Sequence, residues 1–257
     1  MTLTKENYYS GEANRQYMSV SQYHDFINGF ESCEAKAMAK IKRLWTEEPN
    51  DAMLIGSYVD SYFEGTLNEF KANTPQIFTL KGELKAPFKH AETIIKTAEN
   101  DGKFMQYMNG QKQQIMTANL FGVDWKIRID VLHDNCFVDL KVVRSIREKF
   151  WKDGGKCNFI DAYSYLDQGA IYQAVIEKNI GKKLPFYIAA LSKDEIPDKE
   201  IIYVPDDALE MALHQIELNM PHIIALKNKD YPPVRCEKCD YCRSTKKLEK
   251  PISYYDL

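Results

Sequence analysis

Between Gln113 and Val143 the spacing of apolar residues changes from helical to alternating, and this change limits the fold more than any other feature of the chain. The stretch reads QQIMTANLF, then GVDWKIRIDVLH, then CFVDLKVV; Gly122 marks one turn and His133, Asp134 and Asn135 mark the other. Three strands joined by short turns make an antiparallel meander. Upstream, apolar residues at helical spacing predict helices from Ser19 or Ser21 to about Trp45, from about Asp51 to Phe70, and from about Phe88 to Met108. Downstream, a basic connection containing Gly154 and Gly155 leads to a helix over residues 161–180. Strands follow at Leu184 to Leu191 and Glu200 to Val204, and Pro205 and Asp206 open a last helix to about Leu226. This order predicts an α/β fold, a mixed sheet flanked by helices, with a right-handed crossover through 161–180. The reading is one domain over residues 1–230, with a basic, cysteine-containing tail at 231–257 packed on it.

Charge narrows the function. The chain of 257 residues carries a net charge of −3, which argues against a uniformly basic nucleic-acid binder. The charge is unevenly placed, however. Residues 141–156 hold six basic and two acidic groups, and residues 227–250 hold eight basic and four acidic ones. Such segments can grip phosphate while an acidic body repels other contacts. No apolar run approaches the ~18 residues of a membrane span, and the polar N-terminus has no apolar secretory segment. A cytoplasmic protein without a membrane partner is expected.

The chemistry concentrates on the second and third strands. Side chains two residues apart share a face of a strand, which pairs Arg128 with Asp130 and Asp139 with Lys141. Two carboxylates on neighbouring, otherwise apolar strands are costly unless a cation or hydrogen bonds satisfy them. Mg²⁺ does so while keeping water for chemistry, and Lys141 would lie beside it to assist the attacking water. The alternative is an exposed Asp139–Lys141 ion pair.

IRID, a short turn and VDLK resemble the split signature of the PD-(D/E)XK nucleases, which points to a restriction-endonuclease-like core. Gly56 to Glu64 (GSYVDSYFE) resembles the G-x-x-x-H-x-x-x-E helix of RecB-type members, and Gln168 with Tyr172 matches their Q-x-x-x-Y helix. VDLKVVRSIREKF followed by YSYLDQGAIYQ is similar to phage and prophage RecE-like exonucleases. The resemblance spans about residues 19–242. It implies a metal held by Asp60, Asp130, Asp139 and the Leu140 carbonyl, Mg²⁺ or Mn²⁺, with Lys141, Glu64, Gln168 and Tyr172 serving catalysis. Asp60 stands where the family pattern has histidine; aspartate is the harder oxygen ligand and suits those ions. The implied activity is 5′ to 3′ hydrolysis of linear duplex DNA ends, by a ring-shaped homo-oligomer working with a RecT-like single-strand annealing protein. The other readings are a CRISPR-associated type of iron–sulfur single-strand exonuclease and a non-catalytic DNA-end-binding protein.

Six cysteines are present, and Cys236, Cys239 and Cys242 form C-x2-C-x2-C. Three close thiolates want a fourth ligand, and Cys33 can supply it. Some RecB-like relatives hold a [4Fe–4S] cluster with one early and three late cysteines, although their late spacing is wider. A cluster, zinc, or ordinary reduced thiols all remain open at this point.

Overall fold

The computed structural model describes residues 1–27, 32–152, 154–248 and 250–256. The chain forms two compact units, Glu48–Glu217 and Met1–Glu47 with Leu218–Leu257. The boundary expected at residue 230 therefore does not coincide with the division, which groups the tail with the N-terminal helices.

In the first unit, α4 (Asp51–Glu64) starts where the Asn50 side chain accepts the Met53 amide at 2.9 Å, and it stops at Gly65, whose φ of +80° only glycine adopts readily. The expected helix to Phe70 is thus two, with α5 (Leu67–Asn73) after the turn. The next expected helix also divides. Helix α6 (Ala86–Glu99) gives way to α7 (Gly102–Met108) because the Asp101 carboxylate accepts the Lys103 and Phe104 amides and caps a new start.

The meander is β1 (Gln111–Leu120), β2 (Val123–Leu132) and β3 (Phe137–Val143). Phe121 and Gly122 turn the first hairpin with φ of 55° and 82°, the paired positive values of a tight two-residue turn. A small hairpin that the sequence reading omitted, β4 (Phe150–Lys152) and β5 (Gly155–Cys157), precedes α8 (Phe159–Ala162) and α9 (Tyr165–Ile180). The chain re-enters the sheet as β6 (Phe186–Ser192) and β7 (Lys199–Val204), and α10 (Asp206–Asn228) follows. The sheet order is β1-β2-β3-β6-β7; β3 and β6 run parallel and the other neighbours antiparallel, which is the mixed sheet expected.

One face of the sheet buries Val131, Val138, Leu140, Ala189 and Leu191 against α4 and α6, through Tyr58, Val59, Ile94 and Ala98. Alternation sends Phe137, Asp139 and Lys141 to the opposite face. There Phe137 stacks on Phe186 at 4.8 Å. Helix α9 lies close on this face: a Cβ at Gly169 would sit 2.4 Å from the Phe186 ring and 2.9 Å from Leu209.

The second unit holds α1 (Gly11–Gln16), α2 (Val20–Ile27), α3 (Glu34–Ile41) and α11 (Asp240–Ser244). The single helix expected from Ser19 to Trp45 is corrected here; part of it, residues 28–31, lies outside the described residues. Cys33 has extended backbone, φ −154°, and precedes α3 rather than lying within a helix. Its neighbours are bound to the tail: Ala35 donates to the Val234 carbonyl at 3.1 Å, and Glu34 accepts the Val234 amide at 2.7 Å.

Candidate active site

The register of β2 with β3 comprises Val131–Val138 and Leu132–Phe137. The next pair in that register would be Asp130 opposite Asp139, and there the ladder ends. Asp130 Oδ2 instead accepts the Leu140 amide at 2.9 Å, so a carboxylate replaces the missing strand partner. In an extended residue N–H and C=O point the same way; the Leu140 carbonyl therefore also faces the opening. On the far side of β2, Gln113 takes a left-handed φ of 53° and drops out of the β1–β2 register. Its side chain reaches Asp130 Oδ1 at 3.4 Å.

The split lets both helical layers reach the carboxylates. From α4, Asp60 and Glu64 line a narrow cleft with Lys112, Gln113, Asp130 and Leu140. Glu64 lies 3.6 Å from Arg128, so its basic partner comes from β2, two residues from Asp130. From α9, Gln168 donates to Asp139 Oδ1 at 2.5 Å, and the Tyr165 ring lies 4.8 Å from the Lys141 ammonium. Lys141 Nζ is 2.5 Å from Asp139 Oδ2. That ammonium is the group facing this buried oxygen, which has no other hydrogen-bond partner among the described residues.

The electrostatics follow from this crowding. Burial and the Asp130 charge push the Asp139 carboxyl up to about 7 against the pull of Lys141. Asp60 is raised well above the carboxylate range by burial and then by Asp130, with Asp139 and Glu64 adding to it. Burial alone would lower the Lys141 ammonium, but Asp139 and Asp130 overcome it and hold its pKa raised. Burial carries the Tyr165 phenol up to about 12, so it stays protonated at neutral pH.

An Asp139 oxygen buried beside the Lys141 ammonium, a carbonyl aimed at the same opening and carboxylates that resist ionising together form a donor set suited to a cation. The hard oxygen donors fit Mg²⁺ or Mn²⁺.

Asp60, Asp130, Asp139, Lys141, Glu64 and Gln168 are thus brought together, with the Leu140 backbone among them. Tyr172 is half-buried on α9, one turn beyond Gln168. Lys141 meets the ring of Tyr165 at the start of α9, a residue to which the sequence pattern gave no catalytic role. It begins an aromatic chain, Tyr165 to Tyr163 at 5.7 Å and Tyr163 to Phe150 at 5.3 Å, leading to the β4–β5 hairpin. Lys112 and Gln113 were also missed. Their only signal was two polar residues opening an alternating strand, which looks like ordinary solvation.

In the other unit, the sulfurs of Cys33, Cys236, Cys239 and Cys242 all lie within 4.8 Å of one another. The four cysteines separated in sequence do converge, and their set is compatible with a bound metal.

A comparison of the sequence with proteins of curated function finds no match. Among solved structures, the chain is similar to the crystal structure of a "Putative exonuclease" from Eubacterium rectale, with 52% identity, a TM-score of 0.96, and coverage of 100% of this chain and 98% of that one. A family model, "PDDEXK-like domain of unknown function (DUF3799)", matches residues 19–245, which include every site residue named above. With that span matched, and with Asp130, Asp139 and Lys141 gathered where the sheet opens, the chain belongs to this PDDEXK-like family.

Proposed function

We propose that this protein is a metal-dependent DNA exonuclease acting on linear duplex ends. The observation that carries the reading is the pair of buried Asp139 and half-buried Lys141 facing Asp130 across the break in the β2–β3 ladder. A divalent ion held by Asp60, Asp130, Asp139 and the Leu140 carbonyl would polarise the scissile phosphate and supply a strong nucleophile from water at neutral pH.

The chain's own groups do the rest. Gln168 fixes one oxygen of Asp139 and so sets the orientation of the other. Tyr165 lies under the Lys141 ammonium and holds it beside the carboxylates. With its raised pKa Lys141 stays cationic, which suits it to offset charge on a pentavalent phosphorane better than to accept a proton. Arg128 keeps Glu64 paired at the rim. The β4–β5 hairpin exposes Trp151 and stands among the exposed Lys149 and Lys156, a combination that suits a phosphate backbone with an unstacked base.

Support for exonuclease action comes from the E. rectale relative's description. The preference for duplex ends, 5′ to 3′ polarity, a ring-shaped oligomer and a RecT-like annealing partner rest on the resemblance to RecE-like exonucleases. The test is digestion of end-labelled linear duplex with and without Mg²⁺, alongside covalently closed circles. Metal-dependent loss of the linear substrate alone supports the reading. Cutting both at equal rates makes the protein an endonuclease, and binding of ends without cleavage leaves a non-catalytic end-binder.

A further inference from the structure

The four-cysteine group in the unit formed by the N-terminal helices and the tail belongs to none of the chemistry above. Cys33 precedes α3, and the other three lie on a short loop and the first turn of α11. Cys33 Sγ is 3.5 Å from Cys242 Sγ, and Cys236 Sγ is 3.9 Å from Cys242 Sγ. No pair is close enough for a disulfide, whose sulfurs are ~2 Å apart. The spacing also discriminates among metals. Four thiolates around one zinc ion at about 2.3 Å stand about 3.8 Å apart along the edges of the tetrahedron. A [4Fe–4S] cubane places each thiolate on a separate iron and holds the sulfurs roughly 6 Å apart. The longest separation here, within 4.8 Å, falls on the single-ion side.

Backbone geometry supports the same conclusion. Cys236 Sγ accepts the Lys238 amide at 3.5 Å and the Cys239 amide at 3.3 Å, and Cys239 Sγ accepts the Cys242 amide at 3.4 Å. Amides turned toward sulfur favour the thiolate over the thiol. Such amides face the sulfurs of Cys236 and Cys239, while Cys33 and Cys242 are buried. Four partly buried sulfurs converging without a disulfide have few other uses.

We propose that Cys33, Cys236, Cys239 and Cys242 bind one zinc ion as a closed tetrathiolate site, a structural clip in place of an iron–sulfur cluster. All four positions are protein sulfur, so no coordination place is open for water or substrate. The clip ties the start of α3 to the tail, closing a loop of about two hundred residues, for which the chain-entropy gain is large. It also fixes a segment bearing Arg235, Lys238, Arg243, Lys246 and Lys247.

The test uses the full-length chain purified anaerobically from cells supplied with both iron and zinc, assayed for zinc, iron and acid-labile sulfide. The expected result is about one zinc per chain, with iron and sulfide below about a tenth of an equivalent. Exchange of the zinc for Co²⁺ should give the visible absorption of a tetrahedral cobalt thiolate, a readout independent of nuclease activity. Cys236→Ser, at the partly exposed edge, should lose at least tenfold in zinc affinity by competition with a chromogenic chelator. Stoichiometric iron with sulfide would overturn the proposal in favour of a cluster. Metal-free protein with four freely titrating thiols, or cobalt bound without thiolate absorption, would overturn it outright.

Discussion

Asp139 is held by groups that oppose one another: burial and Asp130 resist its ionisation, while Lys141 and Gln168 favour a fixed anion. Removing the ammonium by Lys141→Ala should lower the rate of DNA cleavage on the order of a thousandfold, about 4 kcal/mol of transition-state stabilisation. DNA binding, measured by anisotropy, should change little; near wild-type cleavage would remove Lys141 from the chemistry. The pH behaviour has a definite sign. Asp139 binds its proton more tightly in the folded chain, near 7 against an ordinary 3.8, so metal-free stability falls as pH rises across that window. A divalent ion competes with the same proton. The rise in Tm on adding Mg²⁺ should therefore be larger at about pH 8 than at about pH 6, the window set by this shift. An equal rise at both would place the ion elsewhere. Asp60 is raised in the same direction, by burial first and then by Asp130. Asp60→Asn should raise the Tm of the metal-free chain and weaken metal-dependent activity, whereas Asp60→His should keep activity, more so with Mn²⁺. Unchanged metal titration in Asp60→Asn would make it a bystander.

At the level of elements, Gly169 decides how deeply α9 sits. A methyl group there meets the Phe186 ring and Leu209 well inside contact distance, so Gly169→Ala should cost about 1–3 kcal/mol. It should also draw Gln168 away from Asp139, lowering activity beyond the loss of folded protein; melts and cleavage assays on the same preparation separate the two. This element also shows what the sequence could reveal. The alternating strands, and the D-x-K on the third of them, were legible because strand periodicity dictates which residues share a face. Helix starts were less so. The breaks at Gly65 and Asp101 depend on local capping that competes with a continuing apolar pattern. The start of α3 after Cys33 goes with hydrogen bonds between Glu34, Ala35 and Val234, about two hundred residues away. The β4–β5 hairpin is too short to show a period. Tyr165 was hidden for another reason: an aromatic residue at helical spacing looks like core until the structure places a half-buried lysine against it.

For the whole molecule, a net charge of −3 means that the proposed DNA substrate would be met by local basic segments. Affinity for linear duplex should fall steeply as salt is raised, and reversing Lys149 and Lys156 to Glu should flatten that dependence. A salt response unaltered by the double reversal would direct attention away from the hairpin. The chain's helices include none long and apolar enough to cross a membrane, among the described residues. Chelation of the two metal classes should have separable effects. Removing Mg²⁺ should stop cleavage and leave the fold, whereas stripping a thiolate-bound ion should loosen the tail and leave the β2–β3 site intact.

The place where β3 leaves β2 also predicts how the backbone breathes. Along Val123–Ile129, amides directed toward β1 lie in the β1–β2 ladder, while those directed the other way fall beyond the end of the β2–β3 pairing. Deuterium uptake should therefore alternate along this one strand, slow toward β1 and fast toward the split, although its side chains are largely buried. The Leu140 amide should be an exception, guarded by a single carboxylate. Replacing Asp130 by Asn would weaken that guard and turn one slow proton in the centre of the sheet into a fast one.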